Sequence, residues 1–390
     1  MEIGIAGKTN VGKTTFFSAA TLIDAEISGR VFTTIRPNIG ISYARVKCRC
    51  GELNVKCNPN NSICRNGYRF IPVKLIDIAG LVPDAHLGKG LGNQFLSDIM
   101  QASCLIHVID ASGSTDIEGN VCKAGDHDPL EDVEFFEKEL DFWIEGILKR
   151  NIENIRRKAE ATKEKPEKAL HGQLSGLGIS EDDIKHAMSE AGFVLSGSEN
   201  LMEFVSFLRK KSKPCIIAAN KADVEASERN IKKLGEKGYG IVPCSAASEL
   251  ALRKAAEKGL IEYMPGDSDF RTRDGLNEEQ RRGLDYIRKS VLEKYGSTGI
   301  QGAINEAAFG LLGMIVVYPV ANISRLTDTK GNVLPDAFLV KKGTALKEFA
   351  SRVHTQFAEK FIGGVGLDRK KVGADHVLKD GEVIEILFEK

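Results

Sequence analysis

The octapeptide Gly7-Lys8-Thr9-Asn10-Val11-Gly12-Lys13-Thr14 meets the pattern G-x-x-x-x-G-K-[ST] at every specified position. Glycines let backbone N–H groups turn inward around a phosphate chain, and a helix beginning at Lys13 adds the positive end of its dipole. In such a loop Gly7, Asn10, Val11, Gly12 and Thr15 cradle the phosphates, Lys13 reaches the β- and γ-phosphates, and Thr14 holds Mg²⁺. A phosphate loop does not choose a base. Far downstream stands Asn220-Lys221-Ala222-Asp223. The Asp223 carboxylate can accept hydrogen bonds from guanine N1–H and the 2-amino group, a donor pair that adenine lacks. Ser245-Ala246-Ala247 then offers a backbone N–H to guanine O6. GTP and GDP are the expected ligands. Between the two stretches, Lys74-Leu75-Ile76-Asp77-Ile78-Ala79-Gly80 ends an apolar strand in D-x-x-G, with Asp77 toward Mg²⁺ and Gly80 toward the γ-phosphate.

A second group of reactive side chains lies at Cys48, Cys50, Cys57 and Cys64, with Gly, Asn and Pro between them. The spacing C-x-C-x6-C-x6-C is not the paired C-x-x-C of a zinc ribbon. In a chain whose other cysteines (Cys104, Cys122, Cys215 and Cys244) are scattered singly, a thiolate site for tetrahedral zinc is nevertheless favoured over disulfides. Free thiols in a turn-rich loop are the alternative.

These residues must be held by a framework. A strand before Gly7 and a helix from Lys13 to about Thr21 position the phosphate loop. A threonine in the following stretch, Val31 to Asn38, closes over Mg²⁺ and the γ-phosphate in guanine-nucleotide switches. Thr34 is the candidate over Thr33, and either hydroxyl could instead cap a turn before Pro37. Strands over Ile39–Cys48 and Phe70–Ile78 form a hairpin whose long connection carries the cysteines, and Leu105–Asp110 reads as the next strand of a parallel sheet. From Leu130 to about Arg209, Val133, Phe136, Leu140, Trp143, Ile144, Ile147 and Leu148 recur at helical spacing. This block separates the D-x-x-G half from the base reader, so it is an insertion. A helical hairpin turning near Gly172 to Gly178, with Ser180 capping a later helix, is the simplest construction, and the basic run Arg156, Arg157, Lys158, Lys163 reads as a solvated face. Strand texture returns at Ile315–Tyr318, Ala337–Val340 and Gly381–Ile386, around a helix expected from Thr344 to Phe361.

Lys+Arg and Asp+Glu both number 54, so overall charge argues for neither nucleic acid nor membrane as a partner. No basic segment followed by an apolar core opens the chain, and apolar runs such as Leu311 to Val317 are too short to span a bilayer. The expected location is the cytoplasm.

Asp77-Ile78-Ala79-Gly80-Leu81-Val82, Gly90-Leu91-Gly92-Asn93 and Phe32-Thr33-Thr34-Ile35-Arg36-Pro37-Asn38-Ile39-Gly40 resemble the Obg family of GTPases, most closely its YchF-related branch. That family carries a hydrophobic residue after the D-x-x-G glycine, where other small GTPases place a water-orienting glutamine, and Leu81 fits. Some YchF proteins have a degenerate base reader and prefer ATP. The intact Asn220-Lys221-Ala222-Asp223 therefore implies GTP. The tail resembles the TGS module through Lys342-Gly343-Thr344, Phe349-Ala350, His354 and Leu378-Lys379-Asp380-Gly381-Glu382-Val383. Such modules serve RNA or ribosome contact. Residues 314–390 hold twelve Lys/Arg against ten Asp/Glu, so charge alone would not suggest this.

The expected architecture is an α/β P-loop GTPase fold with a parallel-rich sheet, a helical insertion and a C-terminal β-grasp-like TGS domain. Its parts are a G domain over 1–129 with the cysteine insert at 48–64, the helical insertion over 130–211, the rest of the G domain with following helices over 212–312, and the TGS domain over 313–390. The expected activity is slow, Mg²⁺-dependent hydrolysis of GTP through Lys13, Thr34 and Gly80, with Thr14, Thr34 and Asp77 around the metal, serving as a switch on the ribosome, the translation machinery or RNA. The alternative is an RNA- or ribosome-binding protein in which nucleotide is mainly structural. Asn10 matches an asparagine that supplies a K⁺ ligand in potassium-activated GTPases, and equally suits a turn residue bonding backbone. His86 could approach the site if its glycine-rich loop closes.

Overall fold

The computed structural model describes residues 1–21, 39–81, 95, 98–99, 101–197, 199–354 and 360–389. It divides into two compact units. Among the described residues the first takes 1–21, 39–40 and those of 74–303, and the second takes 41–73 and those of 304–389.

In the first unit, β1 (Glu2–Ala6) lies between the Lys74–Asp77 end of β4 (Tyr68–Asp77) and β5 (Cys104–Asp110), followed by β6 (Cys215–Asn220) and β7 (Ile241–Pro243). All four pairings are parallel, in registers that include Ile5↔Asp77, Ile5↔Ile106, Ile106↔Ile216 and Ala218↔Val242. Parallel strands covered on both faces carry unbroken apolar runs, and every residue of β5 is buried. The register brings the C-terminal ends of β1, β4 and β6 to one edge, so the residues after Ala6, Asp77 and Asn220 emerge together.

Among the described residues, the insertion between β5 and β6 forms four α-helices, Pro129–Thr162, Pro166–Leu174, Glu181–Ala191 and Leu201–Ser212. A simple hairpin is therefore too few elements. The first helix alone has 34 residues, begins on an Asp128 cap and ends where Lys163 turns left-handed. The other three pack on it through a core of their own that includes Leu148, Leu170, Ile184, Phe204 and Leu208. Ser180 and Asp183 cap the third helix reciprocally, as the sequence indicates. Arg157 and Lys158 face solvent.

The second unit holds a five-stranded sheet in the order β11-β10-β14-β12-β13. Its strands are β10 (Met314–Val320), β11 (Phe338–Lys341), β12 (Phe361–Gly366), β13 (Lys371–Val372) and β14 (Glu382–Phe388), with β10 and β14 parallel at the centre. One face is covered by the helix Leu346–Val353 through Leu346, Phe349 and Ala350. The expected helix to Phe361 is thus corrected: it stops at Val353, His354 is extended, and Phe361 opens a strand. Glycines make that strand hard to see, yet they are required, because a Cβ at Gly363 would lie 2.8 Å from the Val372 carbonyl oxygen and one at Gly364 3.1 Å from that of Glu385. The same unit contains β2 (Ile39–Lys47) from Ile41, β3 (Ile63–Arg65) and the start of β4, with both β2 and β3 paired to β4. Ile71, Val46, Val55, Cys50 and Cys57 pack with Val316, Tyr318 and Val383, so the cysteine insert shares a core with the C-terminal sheet.

Candidate functional site

The phosphate loop owes its shape to two glycines. Gly7 has φ +147° and Gly12 φ +96°, and an added Cβ would lie 2.3 Å from the Val108 carbonyl oxygen at the first and 2.3 Å from Asn220 Nδ2 at the second. Asn10 also sits at positive φ, +62°. Its Nδ2 donates to the Gly119 carbonyl at 2.9 Å, a bond that is neither local nor engages the amide oxygen. Lys13 begins the helix Lys13–Thr21, and its Nζ donates to the Lys8 carbonyl at 2.7 Å. Burial lowers the Lys13 pKa to about 8 against the pull of Asp77. Asp77 is raised by burial, an effect that the Lys13 charge opposes. The Thr14 hydroxyl and the Asp77 carboxylate have no hydrogen-bond partner among the described residues, and Thr14 is exposed. Thr15 is half-buried, and a Cβ on Gly80 would lie 3.5 Å from Lys13 Nζ.

The base reader is tied to this loop. Asn220 donates from Nδ2 to the Val11 carbonyl at 2.8 Å and accepts at Oδ1 from the Ala246 N–H at 3.0 Å. One side chain therefore joins the phosphate loop, the end of β6 and the start of the helix Ala246–Glu257. Ser245 caps that helix and donates to Asp223 Oδ1 at 2.8 Å, which orients the carboxylate and leaves its other oxygen for a base. Lys221, at φ +60°, pairs with Asp110 at 2.8 Å. Burial works against the Asp110 charge, yet bonds from Lys221, Ser112 and Ser114 outweigh it and hold the carboxyl below its usual range. The site residues at 7–15, 77–80, 220–223 and 245–247 all belong to the first unit. Thr33, Thr34 and His86 lie outside the described residues.

Leu81 is buried among Ala6, Ile78, Phe95, Ile99 and Phe136, and its N–H donates to the Gly7 carbonyl at 3.2 Å. The side chain is a core residue beneath the loop. Sequence reading passed over Lys8, whose buried ammonium meets Asp132 Oδ1 at 2.7 Å and the carbonyls of Thr115 and Asp116 at 2.9 and 2.6 Å. His127 Nε2 lies 2.8 Å from the same Asp132 oxygen. Nothing in the motif pattern marks Lys8, because its position is a variable one. Asp110 does carry a signal: a charge that ends an apolar strand, with Ser112-Gly113-Ser114 beginning two positions on.

In the second unit the four expected cysteines converge. All are free thiols, and their Sγ atoms lie within 4.8 Å of one another, with Cys48 to Cys57 at 4.0 Å and Cys50 to Cys64 at 3.8 Å. A tetrahedron of sulfurs about 2.3 Å from zinc has edges of about 3.8 Å. The thiols share protons unequally: a bond with Cys64 draws the Cys48 pKa down to about 5, whereas Cys50 is pushed by burial up to about 11.

Residues 2–136 match the family model described as 50S ribosome-binding GTPase, residues 218–322 that of the Obg-like GTPase YGR210-like, G4 motif-containing domain, and residues 330–388 the TGS domain. A protein of Methanocaldococcus jannaschii named as an uncharacterized GTP-binding protein is 50% identical over 391 residues, covering 99% of this chain and 98% of that protein. The ribosome-binding ATPase YchF of Bacillus subtilis is 29% identical over 420 residues, 100% of this chain and 99% of its own. The crystal structure of a GTP-binding protein from Pyrococcus horikoshii OT3 superposes with a TM-score of 0.79 at 38% identity and full coverage of both chains. The solved structure of the Schizosaccharomyces pombe YchF GTPase shares the fold, with a TM-score of 0.62 at 19% identity over 99% of this chain and 97% of the other.

Proposed function

We infer, for a chain that belongs to the YchF-related branch of the Obg-like GTP-binding proteins, with a P-loop GTPase fold and a TGS domain, that it binds GTP and hydrolyses it slowly as a switch on the ribosome. The observation that carries this reading is the pair of bonds from Asn220 to Val11 and Ala246, beside an Asp223 held by Ser245, which couples a guanine reader to the phosphate loop. The discrimination against adenine should be strong, because a base without the N1–H and amino donors leaves the carboxylate unmatched. Calorimetry with GDP and ADP tests it: GDP is expected to bind at least a hundredfold more tightly, and Asp223→Asn to shift preference toward xanthine nucleotides. Comparable affinities for GDP and ADP would overturn guanine selectivity, and tighter binding of ADP would match the ATPase names that several relatives carry.

Mg²⁺ fits the free Thr14 hydroxyl and Asp77 carboxylate, with Thr34 as the third candidate, and would offset charge on the transferring phosphoryl group. Lys13 and Gly80 complete the catalytic set. Lys13 orients the β- and γ-phosphates, and the backbone at Gly7, Gly12 and Thr15 donates to them. The free amide oxygen of Asn10 suits K⁺, and Ala246 and Ala247 present the N–H groups that face guanine O6. The thiol tetrahedron suits structural zinc bound by Cys48, Cys50, Cys57 and Cys64. The TGS domain is our candidate for the ribosome-side contact, and the cytoplasm is the location that goes with that reading. No described helix is long and apolar enough to cross a membrane. The buried Leu81 favours a second reading, in which nucleotide is a structural ligand of an RNA-binding protein. Turnover stimulated by ribosomes supports the switch, and none under any condition supports the second reading.

A further inference from the structure

Arg69 is fully buried, with 0% of its surface exposed. It stands on β4 directly across from Cys64 on β3, and facing residues of an antiparallel pair project to the same side of the sheet. Its Nη2 donates to the Leu334 carbonyl, while Nε and Nη1 have no hydrogen-bond partner. No carboxylate among the described residues forms an ion pair with it. Asp336, whose carboxyl is raised by burial, feels its charge only at longer range. The guanidinium carbon lies 5.5 Å over the Tyr318 ring. An arginine cannot shed its proton, so a buried one needs an anion nearby.

We propose that Arg69 is the counter-charge of the four-thiolate metal site, binding the cluster electrostatically and the Leu334 turn by hydrogen bond. Four thiolates around a divalent ion carry a net charge of about two negatives, a balance that follows from the ligand set. Arg69 supplies one positive charge to it from a dry position, on the strand position paired with Cys64. Metal occupancy and the order of the Leu326–Leu334 turn of the C-terminal unit are thereby linked, since Leu334 N–H in turn donates to the Leu326 carbonyl. The inference rests on the zinc reading, and the experiment separates the two.

Full-length protein, stripped of metal, is titrated with Co²⁺ and followed by its thiolate charge-transfer and visible bands, for wild type, Arg69→Met and Arg69→Lys. Wild type is expected to give the intense visible bands of a tetrahedral thiolate site. Arg69→Met is expected to give the same band shape at saturation with roughly 10- to 100-fold weaker affinity, and Arg69→Lys to stay within about tenfold of wild type because it keeps the charge. GDP affinity should be unchanged in both variants. Wild-type cobalt affinity in Arg69→Met overturns the counter-charge while leaving the metal site standing. Absence of a tetrahedral spectrum in wild type overturns the site and the proposal together. Should Arg69→Met fail to fold, Arg69→Lys decides: retained affinity supports the charge, and a hundredfold loss overturns it.

Discussion

The Lys8 ammonium lies 2.7 Å from the Asp132 carboxylate with each side chain only 3% exposed, so the phosphate loop is pinned to the first turn of the 34-residue helix of the insertion. Removing one partner of such a pair strands the other charge in a dry site, at about 3–5 kcal/mol. Lys8→Met should lower stability by that amount in urea melts of nucleotide-free protein. Lys8→Met combined with Asp132→Leu should recover a substantial part, because the orphan charge is gone. A double variant no better than the single would show that Lys8 acts through its bonds to Thr115 and Asp116 instead.

His107 stacks on Phe136 with ring centroids 4.1 Å apart, and burial, aided by the charges of Lys13 and Lys8, lowers its pKa to about 3. Its ring stays neutral in the folded chain while the unfolded chain takes up a proton near pH 6.5. The stabilising contribution is therefore whole above pH 6.5 and is lost as the pH falls from there toward 3. Over that window wild type should lose on the order of 4 kcal/mol more than His107→Phe, which keeps the stack without the titration. Parallel stability curves for the two proteins would contradict this.

With Leu81 in the core, the hydrolysis proposed above would have to rest on backbone, Lys13 and bound cations. Leu81→Ala should cost about 2–4 kcal/mol of stability through the cavity it leaves, with phosphate release per folded molecule changed only a few-fold. Turnover should rise when K⁺ replaces Na⁺, and Asn10→Ala should abolish that difference. Rates indifferent to the cation would take potassium out of the reaction, and complete loss on changing His86 alone would install a histidine-dependent route.

The C-terminal sheet covers the cysteine insert within the second unit, so deleting it would expose Ile71 and its neighbours and confuse loss of contact with loss of fold. Charge reversal in the full chain avoids this. Arg369, Lys370 and Lys371 are exposed. Changing all three to glutamate should cut co-sedimentation with ribosomes at least tenfold while GDP affinity holds. Unchanged pelleting would move the contact to the helical insertion.

The parts that sequence made legible are those set by short-range geometry. Gly7, Gly12 and the Asn220 motif occupy backbone shapes or approaches that few residues tolerate, so their types and order announce the site. The cysteines were readable as a group for the same reason: their thiols need only a turn-rich loop to meet. What stayed hidden depends on distant partners. Lys8 and Asp132 are 124 positions apart. Arg69 looks like any strand arginine until Leu334 and Tyr318 close over it. Sequence leaves the strand Phe361–Gly366 unmarked beyond Phe361, because its glycines erase the alternation that would reveal it, and the room they make is visible only beside Val372 and Glu385.

The bond from Lys13 to the Lys8 carbonyl, together with a pKa near 8, gives nucleotide binding a second participant. In the free protein at mildly alkaline pH a sizeable fraction of Lys13 is neutral, parked on its own loop. A polyphosphate arriving there stabilises the ammonium and raises its pKa, so each binding event draws a fraction of a proton from solvent. Affinity for nucleotide is then coupled to hydrogen-ion activity, strengthening as the medium becomes more acidic through this range. The apparent heat of binding includes the ionisation heat of whichever buffer gives up that proton.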